Sequence, residues 1–365
     1  MKKLLITLAV ILTAATMVAL FYGPAAAKVT GVCSDCHTMH NSQESNSAAT
    51  GEPLATLLMD DCVGCHSSSD SSTTYSLGTS TVPVVNFTSG APATYLAGGN
   101  FYWVADSGGN DDAKGHNVLG ISGVDSLPFA PGGFNCGSNN NCHKSLAEEQ
   151  DMFAGSGCQG CHLSPAHHAD DSATVIGAAS SSTDGYYRFL SGHGNGYPHG
   201  VCGIENDDWQ ANYNAGNHNE YLGFSASKTD INSLSYGHTV TAFCCGCHGD
   251  FHMEQKNAEW IRHPSDAVIP NTAGSEYANA FEANGTGFGI YDPNVPVARP
   301  NFTDFTGPKS TVAIGTDMVM CLSCHRPHGS PFDDLLRWDY GNMLAGGGSN
   351  TTGCFACHTK KDTGS

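Results

Sequence analysis

The chain has 365 residues, 34 of them acidic against 15 basic, and a formal net charge of −19 with histidines neutral. Charge of that sign argues against nucleic acid or an anionic membrane as partner and favours a solvated particle or a cationic partner. With 44 glycines and no long apolar periodic segments beyond the N-terminus, no ordinary core is visible; such a chain is disordered unless something other than its side chains supplies apolar surface.

The N-terminus carries Lys2 and Lys3, an apolar run from Leu4 to Phe21, and then Gly23-Pro24-Ala25-Ala26-Ala27. This reads as a signal peptide over residues 1–27, cleaved after Ala27, in preference to a retained anchor. Its loss takes two lysines and no acid, leaving thirteen basic and 34 acidic residues and a charge of −21. The expectation is an exported chain that begins at Lys28 and keeps no membrane anchor.

Six segments read C-x-x-C-H. At that spacing two thiols can add to the vinyl groups of one haem, and the histidine after the second cysteine falls beneath the iron. The thioether positions are Cys33 and Cys36, Cys62 and Cys65, Cys158 and Cys161, Cys244 and Cys247, Cys321 and Cys324, and Cys354 and Cys357. The proximal ligands are then His37, His66, His162, His248, His325 and His358. An irregular seventh motif sets five residues between Cys136 and Cys142, followed by His143. A looped-out segment brings both sulfurs to one haem; the alternative puts Cys136 in a disulfide. The cofactor expectation is seven haem c groups, six if the irregular motif is unused. Cys202 and Cys245 are surplus, either paired as a disulfide or buried separately.

In chain order, residues 28–133 form a two-haem module. Leu54, Leu57 and Leu58 predict a short helix within Glu52 to Asp61 that delivers the second motif, and Thr81 to Phe87 predicts a small strand. His116, in a Gly/Asp-rich loop, is a candidate distal ligand. Residues 134–241 form a middle two-haem module with a helix-compatible run from Ser145 to Phe153. Its long connection from Asp170 to Thr241 covers haem faces and holds His193, His199, His218 and His238. Spacing does not decide among these four; His193 and His218 are carried forward as candidates. Residues 242–300 form a single-haem module with a helix after His248, ended by His263-Pro264. Residues 301–365 repeat the logic of the first module, a C-x-x-C-H-x-x-H followed about thirty residues later by a plain C-x-x-C-H.

His40 and His328 stand three residues after their proximal histidines and His252 stands four after His248. None can reach round its own macrocycle, so as a ligand each serves a neighbouring haem and holds two rings almost in contact. Eleven histidines remain for at most seven distal places, which predicts bis-histidine, low-spin iron. Catalysis needs an exchangeable sixth position, and no C-x-x-C-K variant flags one. Electron transfer by a protein that is not an enzyme is therefore preferred over a multihaem reductase with one open-site haem. Structural zinc fails for lack of a four-ligand grouping. The fold expected is mostly irregular coil with short α-helices wrapped around a chain of covalently bound haems, with little β.

Cys33 to His40 and Cys321 to His328 resemble the doubled motif of the multihaem c-type cytochromes of metal-reducing bacteria, and Lys114 to Val118, Phe243 to His252 and Trp260 to Pro264 resemble segments of the same family. The resemblance implies a periplasmic or outer-surface protein in respiratory electron transfer, with other redox proteins or extracellular acceptors as partners. Some members of that family stack into filaments with a continuous haem chain. It also implies His40, His116, His252, His263 and His328 as distal ligands. Cys33 is the sixth mature residue and seven residues follow His358. A haem so near each terminus suits self-association, with a distal histidine donated between chains, as well as a monomeric shuttle.

Overall fold

The computed structural model describes residues 29, 31–38, 54, 56–70, 72–105, 111–127, 130–132, 145–148, 157–162, 167–168, 186–190, 200–224, 238–251, 263–272, 275–282, 287–303, 305–347 and 352–363. Among them, regular structure comes in short pieces. The α-helices are α1 (Cys62–His66), α2 (Tyr102–Ala105), α3 (Val240–Cys244), α4 (Cys321–Cys324) and α5 (Thr359–Thr363). No described helix is long and apolar enough to cross a membrane. The signal-peptide expectation lies outside the described residues.

Two helices are cut to the length of a haem motif. Asp61 caps α1 by accepting a hydrogen bond from the Gly64 N–H at 2.8 Å, one of the orphan donors a helix start must satisfy. In α4 the Ser323 hydroxyl accepts from the Met320 N–H at 3.0 Å and donates to the Pro296 carbonyl. Among the described residues of the stretch ahead of α1 the predicted helix does not form. Leu57 takes a left-handed φ of 60° and Leu58 bridges His37, so this stretch wraps the first motif instead.

The strands are β1 (Ser67–Ser68), β2 (Thr74–Leu77), β3 (Ser80–Pro83), β4 (Asn86–Phe87), β5 (Gly203–Ile204), β6 (Glu220–Leu222), β7 (Ala267–Val268), β8 (Phe288–Ile290), β9 (Ala298–Arg299), β10 (Thr311–Ala313) and β11 (Met318–Val319). β2 and β3 form an antiparallel hairpin, β1 and β4 a parallel pair, and β8 and β10 an antiparallel pair. The predicted strand at Thr81 to Phe87 is thus split between β3 and β4. Five strands assemble one sheet in the order β5-β6-β9-β11-β7, more than the sequence suggested. The expectation of a protein without its own core is also corrected. Tyr187, Val201, Tyr221, Val240, Ala298, Met318 and Met320 pack as one buried cluster, and Ile269, Phe281, Tyr291, Val297, Val312 and Ile314 belong to another. These residues are scattered across loops and two-residue strands, where no periodicity announces them.

The sheet aims two haem motifs. β11 runs through Met320 into α4, while Val240 and Ala242 of α3 are buried, Val240 in the same cluster as Met318 and Met320. Alternation along β9 buries Ala298 in that cluster and turns Arg299 to the other face. There Arg299, 1% exposed, meets Glu220 at 2.7 Å and Asp317, and donates to the Thr311 and Lys309 carbonyls. Removing one member of a buried ion network strands the others. Arg299→Met is expected to lower unfolding stability by about 3–5 kcal/mol, checked by chemical denaturation against the wild type.

Candidate haem sites

Each site starts from a histidine whose ring is fixed by its Nδ1. The Nδ1 of His37 lies 3.1 Å from the Thr56 carbonyl, His66 2.9 Å from Pro83, His162 2.8 Å from Arg188, His248 2.7 Å from Pro131 and His325 2.7 Å from Asp334. His358 has Glu276 Oε1 at 3.5 Å instead. An imidazole that donates from Nδ1 presents a lone pair at Nε2, the form that binds metal. The acceptor carbonyls recur at prolines and at left-handed residues: Arg188 has φ 46° and Asp334 φ 58°. Backbone strain of that kind is held only where the surroundings over-determine it.

Opposite five of these six rings stands a second imidazole. Ring centroids lie 6.1 Å apart for His37 and His168, 6.4 Å for His66 and His167, 6.1 Å for His162 and His328, 6.0 Å for His248 and His116, and 6.1 Å for His358 and His263. These gaps are too wide for ring contact. A metal–nitrogen bond of about 2.0 Å on each side, plus about 1.1 Å from each nitrogen to its ring centre, sets two axial imidazoles about 6 Å apart. The residues therefore fit a haem iron, and each pair could hold one.

Two of the facing histidines are tied down as the first set is. His116 Nδ1 lies 2.7 Å from the Pro327 carbonyl and His263 Nδ1 2.8 Å from Pro264. Burial, then the neighbouring His248, pulls His116 down to about 4. Burial, then His162 and His116, pulls His328 down to about 3. Both rings are neutral at physiological pH, as ligation requires.

The cysteines lie beside one another in chain order. Burial and then nearby charges that include Cys36 push the Cys65 thiol up to about 11. Cys62 and Cys158 share a hydrogen bond. Burial and then Cys247 push Cys161 up to about 12, Cys244 and Cys321 share a hydrogen bond, and burial followed by Cys324 pushes Cys357 up to about 12. Through these neighbours the six motifs follow one another in chain order from Cys36 to Cys357. Cys245 contacts Cys321, and Cys202 is buried against Tyr186 and Leu222.

Residues 314–363 match the family model described as the doubled CXXCH motif. Over 360 residues the chain is 26% identical to the C-type cytochrome OmcS of Geobacter sulfurreducens, covering 84% of this chain and 78% of that protein. These likenesses are to multihaem c-type cytochromes and to their doubled haem motif. The fold is similar to that of the Outer Membrane Cytochrome S filament from Geobacter sulfurreducens, with a TM-score of 0.50 at 19% identity over 86% of this chain and 85% of that one. A structure of OmcS nanowires from the same organism gives a TM-score of 0.47 at 18% identity over 92% and 91% of the two chains.

Of the distal candidates, His116, His263 and His328 face C-x-x-C-H histidines. His218 does not. It is 1% exposed, stacked on Tyr291 at 3.7 Å between centroids, with Nε2 3.4 Å from Glu220, so protein occupies the face a haem would need. His40, His193, His252, Cys136, Cys142 and His143 lie outside the described residues. His167 and His168 were missed as distal candidates, although the rule applied to His328, that a histidine just downstream of a C-x-x-C-H cannot serve its own ring, covers them equally.

The segment bearing His328 is pinned by close backbone approach. His328 N–H donates to the Gly98 carbonyl at 2.8 Å and Asn100 N–H to Gly329 at 3.0 Å. A Cβ on Gly99, whose φ is 93°, would collide with the Gly329 carbonyl. Gly99→Ala is expected to destabilise the protein by about 1–3 kcal/mol and to loosen the 328–330 loop, seen as faster amide exchange at Gly329 and Ser330.

Proposed function

We propose that this protein passes single electrons along a line of covalently bound haems, each iron held between two imidazoles. The observation that carries the reading is the set of five histidine pairs at 6.0–6.4 Å. His37 pairs with His168, His66 with His167, His162 with His328, His248 with His116 and His358 with His263. The cysteines of the six regular motifs hold the macrocycles, and the succession of neighbouring cysteines supports an order of haems in space that follows the order in sequence. His325 ligates the haem on Cys321 and Cys324, with its opposite ligand drawn from the histidines not paired above or from a neighbouring chain. Cys136, Cys142 and His143 attach a seventh haem.

The haem carries the electron; the protein sets distance, axial ligation and dielectric. Two axial imidazoles leave no exchangeable position, so the protein is a conduit and not a reductase. The likeness to the c-type cytochrome OmcS supports electron passage between redox partners. The names of the relatives, an outer-membrane filament among them, support export to the outer surface and self-association. The apolar leader and the acidic surface are in keeping with that destination.

Intact mass and visible spectra of the mature protein, made in a host that attaches haem, test the reading. Seven haems with wholly low-spin spectra are expected; six would return Cys136 to the disulfide reading, and regular motifs without haem would overturn the function. His328→Ala is expected to keep the haem count and convert one low-spin haem to high spin. An unchanged spectrum would break the assignment of His328 to the His162 site.

A further inference from the structure

Five of the six C-x-x-C-H histidines set Nδ1 against a neutral backbone carbonyl, whereas His358 faces a carboxylate, with Glu276 Oε1 3.5 Å from its Nδ1. Backbone contacts hold that carboxylate in place. The Lys360 N–H and the Thr359 hydroxyl both donate to the Glu276 carbonyl at 3.2 Å, which ties residue 276 to the start of α5. The ring of Tyr277 lies beside the imidazole, 5.0 Å between centroids. The second carboxylate oxygen, Oε2, lies 3.4 Å from Lys361 Nζ. Lys361 has a side chain 61% exposed against 30% for Glu276, so water screens the lysine more than the carboxylate and negative charge remains at His358.

A carboxylate at Nδ1 differs in kind from a carbonyl. It carries a full charge at neutral pH, is the stronger acceptor, and draws the Nδ1 proton towards itself, which raises the basicity of Nε2 as a ligand. A more basic axial ligand favours ferric over ferrous iron and lowers the potential. The 3.5 Å separation is longer than the 2.7–3.1 Å of the carbonyl contacts; the charge, rather than a short bond, carries the effect.

We propose that Glu276 is a positioning residue that acts through His358 to make the haem on Cys354 and Cys357 the lowest in potential of those on the six regular motifs. The proposal rests on the reading that haem is attached there and ligated by His358. Cys357 neighbours Cys324, so an electron that reaches the Cys354–Cys357 haem is passed on to the haem of the preceding motif instead of being held. The C-terminal end of the line is then where low-potential electrons enter.

The test uses the mature, haem-loaded protein. Haem is counted by mass first, and a wild-type Cys354–Cys357 peptide that carries none overturns the parent reading. Wild type and Glu276→Gln are then titrated by spectroelectrochemistry, with electron paramagnetic resonance of the ferric form. The variant is expected to keep every haem while the lowest midpoint rises, the reduced-to-oxidised ratio of that haem growing about tenfold at fixed potential, which is about 59 mV for a one-electron couple. The g values of one low-spin ferric signal are expected to shift with it, because the basicity of an axial imidazole has changed. Full haem content with an unmoved lowest midpoint overturns the role of Glu276 alone. So does a midpoint that moves while every g value stays, the mark of a charge that does not act through His358. Where Glu276→Gln yields no fully loaded protein, Lys361→Met at the exposed partner decides. Loss of that cation leaves the carboxylate less neutralised, so the lowest midpoint is expected to fall; an unmoved or raised midpoint overturns the proposal.

Discussion

The constraint on which the rest depends is the fixing of imidazole rings through Nδ1. A histidine beside a cysteine pair is a flexible side chain until its second nitrogen is committed, and here backbone carbonyls commit it at His37, His66, His162, His248 and His325. Each bond fixes the tautomer and aims Nε2, and so requires a carbonyl delivered from elsewhere in the chain. The irregular backbone follows from this demand. Pro83, Pro131, Pro264 and Pro327 supply acceptors, and Arg188 and Asp334 supply them from left-handed conformations. A long helix or strand would spend its carbonyls on its own ladder.

Cys321 to His328 concentrates this logic in eight residues. His325 belongs to its own motif, Pro327 orients His116 with its carbonyl, and His328 faces His162. One short segment therefore touches three sites. On the proposed ligation this ties the spacing of neighbouring haems to the geometry of an extended turn. The proline stiffens that turn, since its φ is fixed by the ring.

Local chemistry was legible in the sequence; long-range partnership was only half so. Six C-x-x-C-H motifs declare themselves because two thiols and an imidazole must be close in sequence to serve one macrocycle. Facing histidines carry no such requirement. His116 and His263 stood out as loop residues in a chain short of ligands, whereas His167 and His168 lay hidden beside a motif they do not serve. His218 misled because a histidine in a long glycine-rich connection looks like a donor until its burial on Tyr291 is seen. The five-stranded sheet was illegible for another reason. Strands of two or three residues contain no period to read, and Arg299, Glu220 and Asp317 resemble surface charge until they are brought together.

The two kinds of ligand also divide the work of folding. Cysteine attachment closes loops of a few residues and needs no tertiary structure. The facing pairs join residues separated by roughly 95 to 170 positions, closures whose entropic cost grows only slowly with length. On the proposed ligation a haem held at both axial positions acts as a cross-link between distant segments, and successive haems cross-link overlapping spans. In a chain this rich in glycine, with strands too short to stand alone, such cross-links do for the irregular regions what the sheet does for residues 203–319. On the proposed ligation, electron transfer and fold stability draw on the same bonds: a ligand pair positioned to shorten the path between haems is also the pair that holds two remote parts of the chain together.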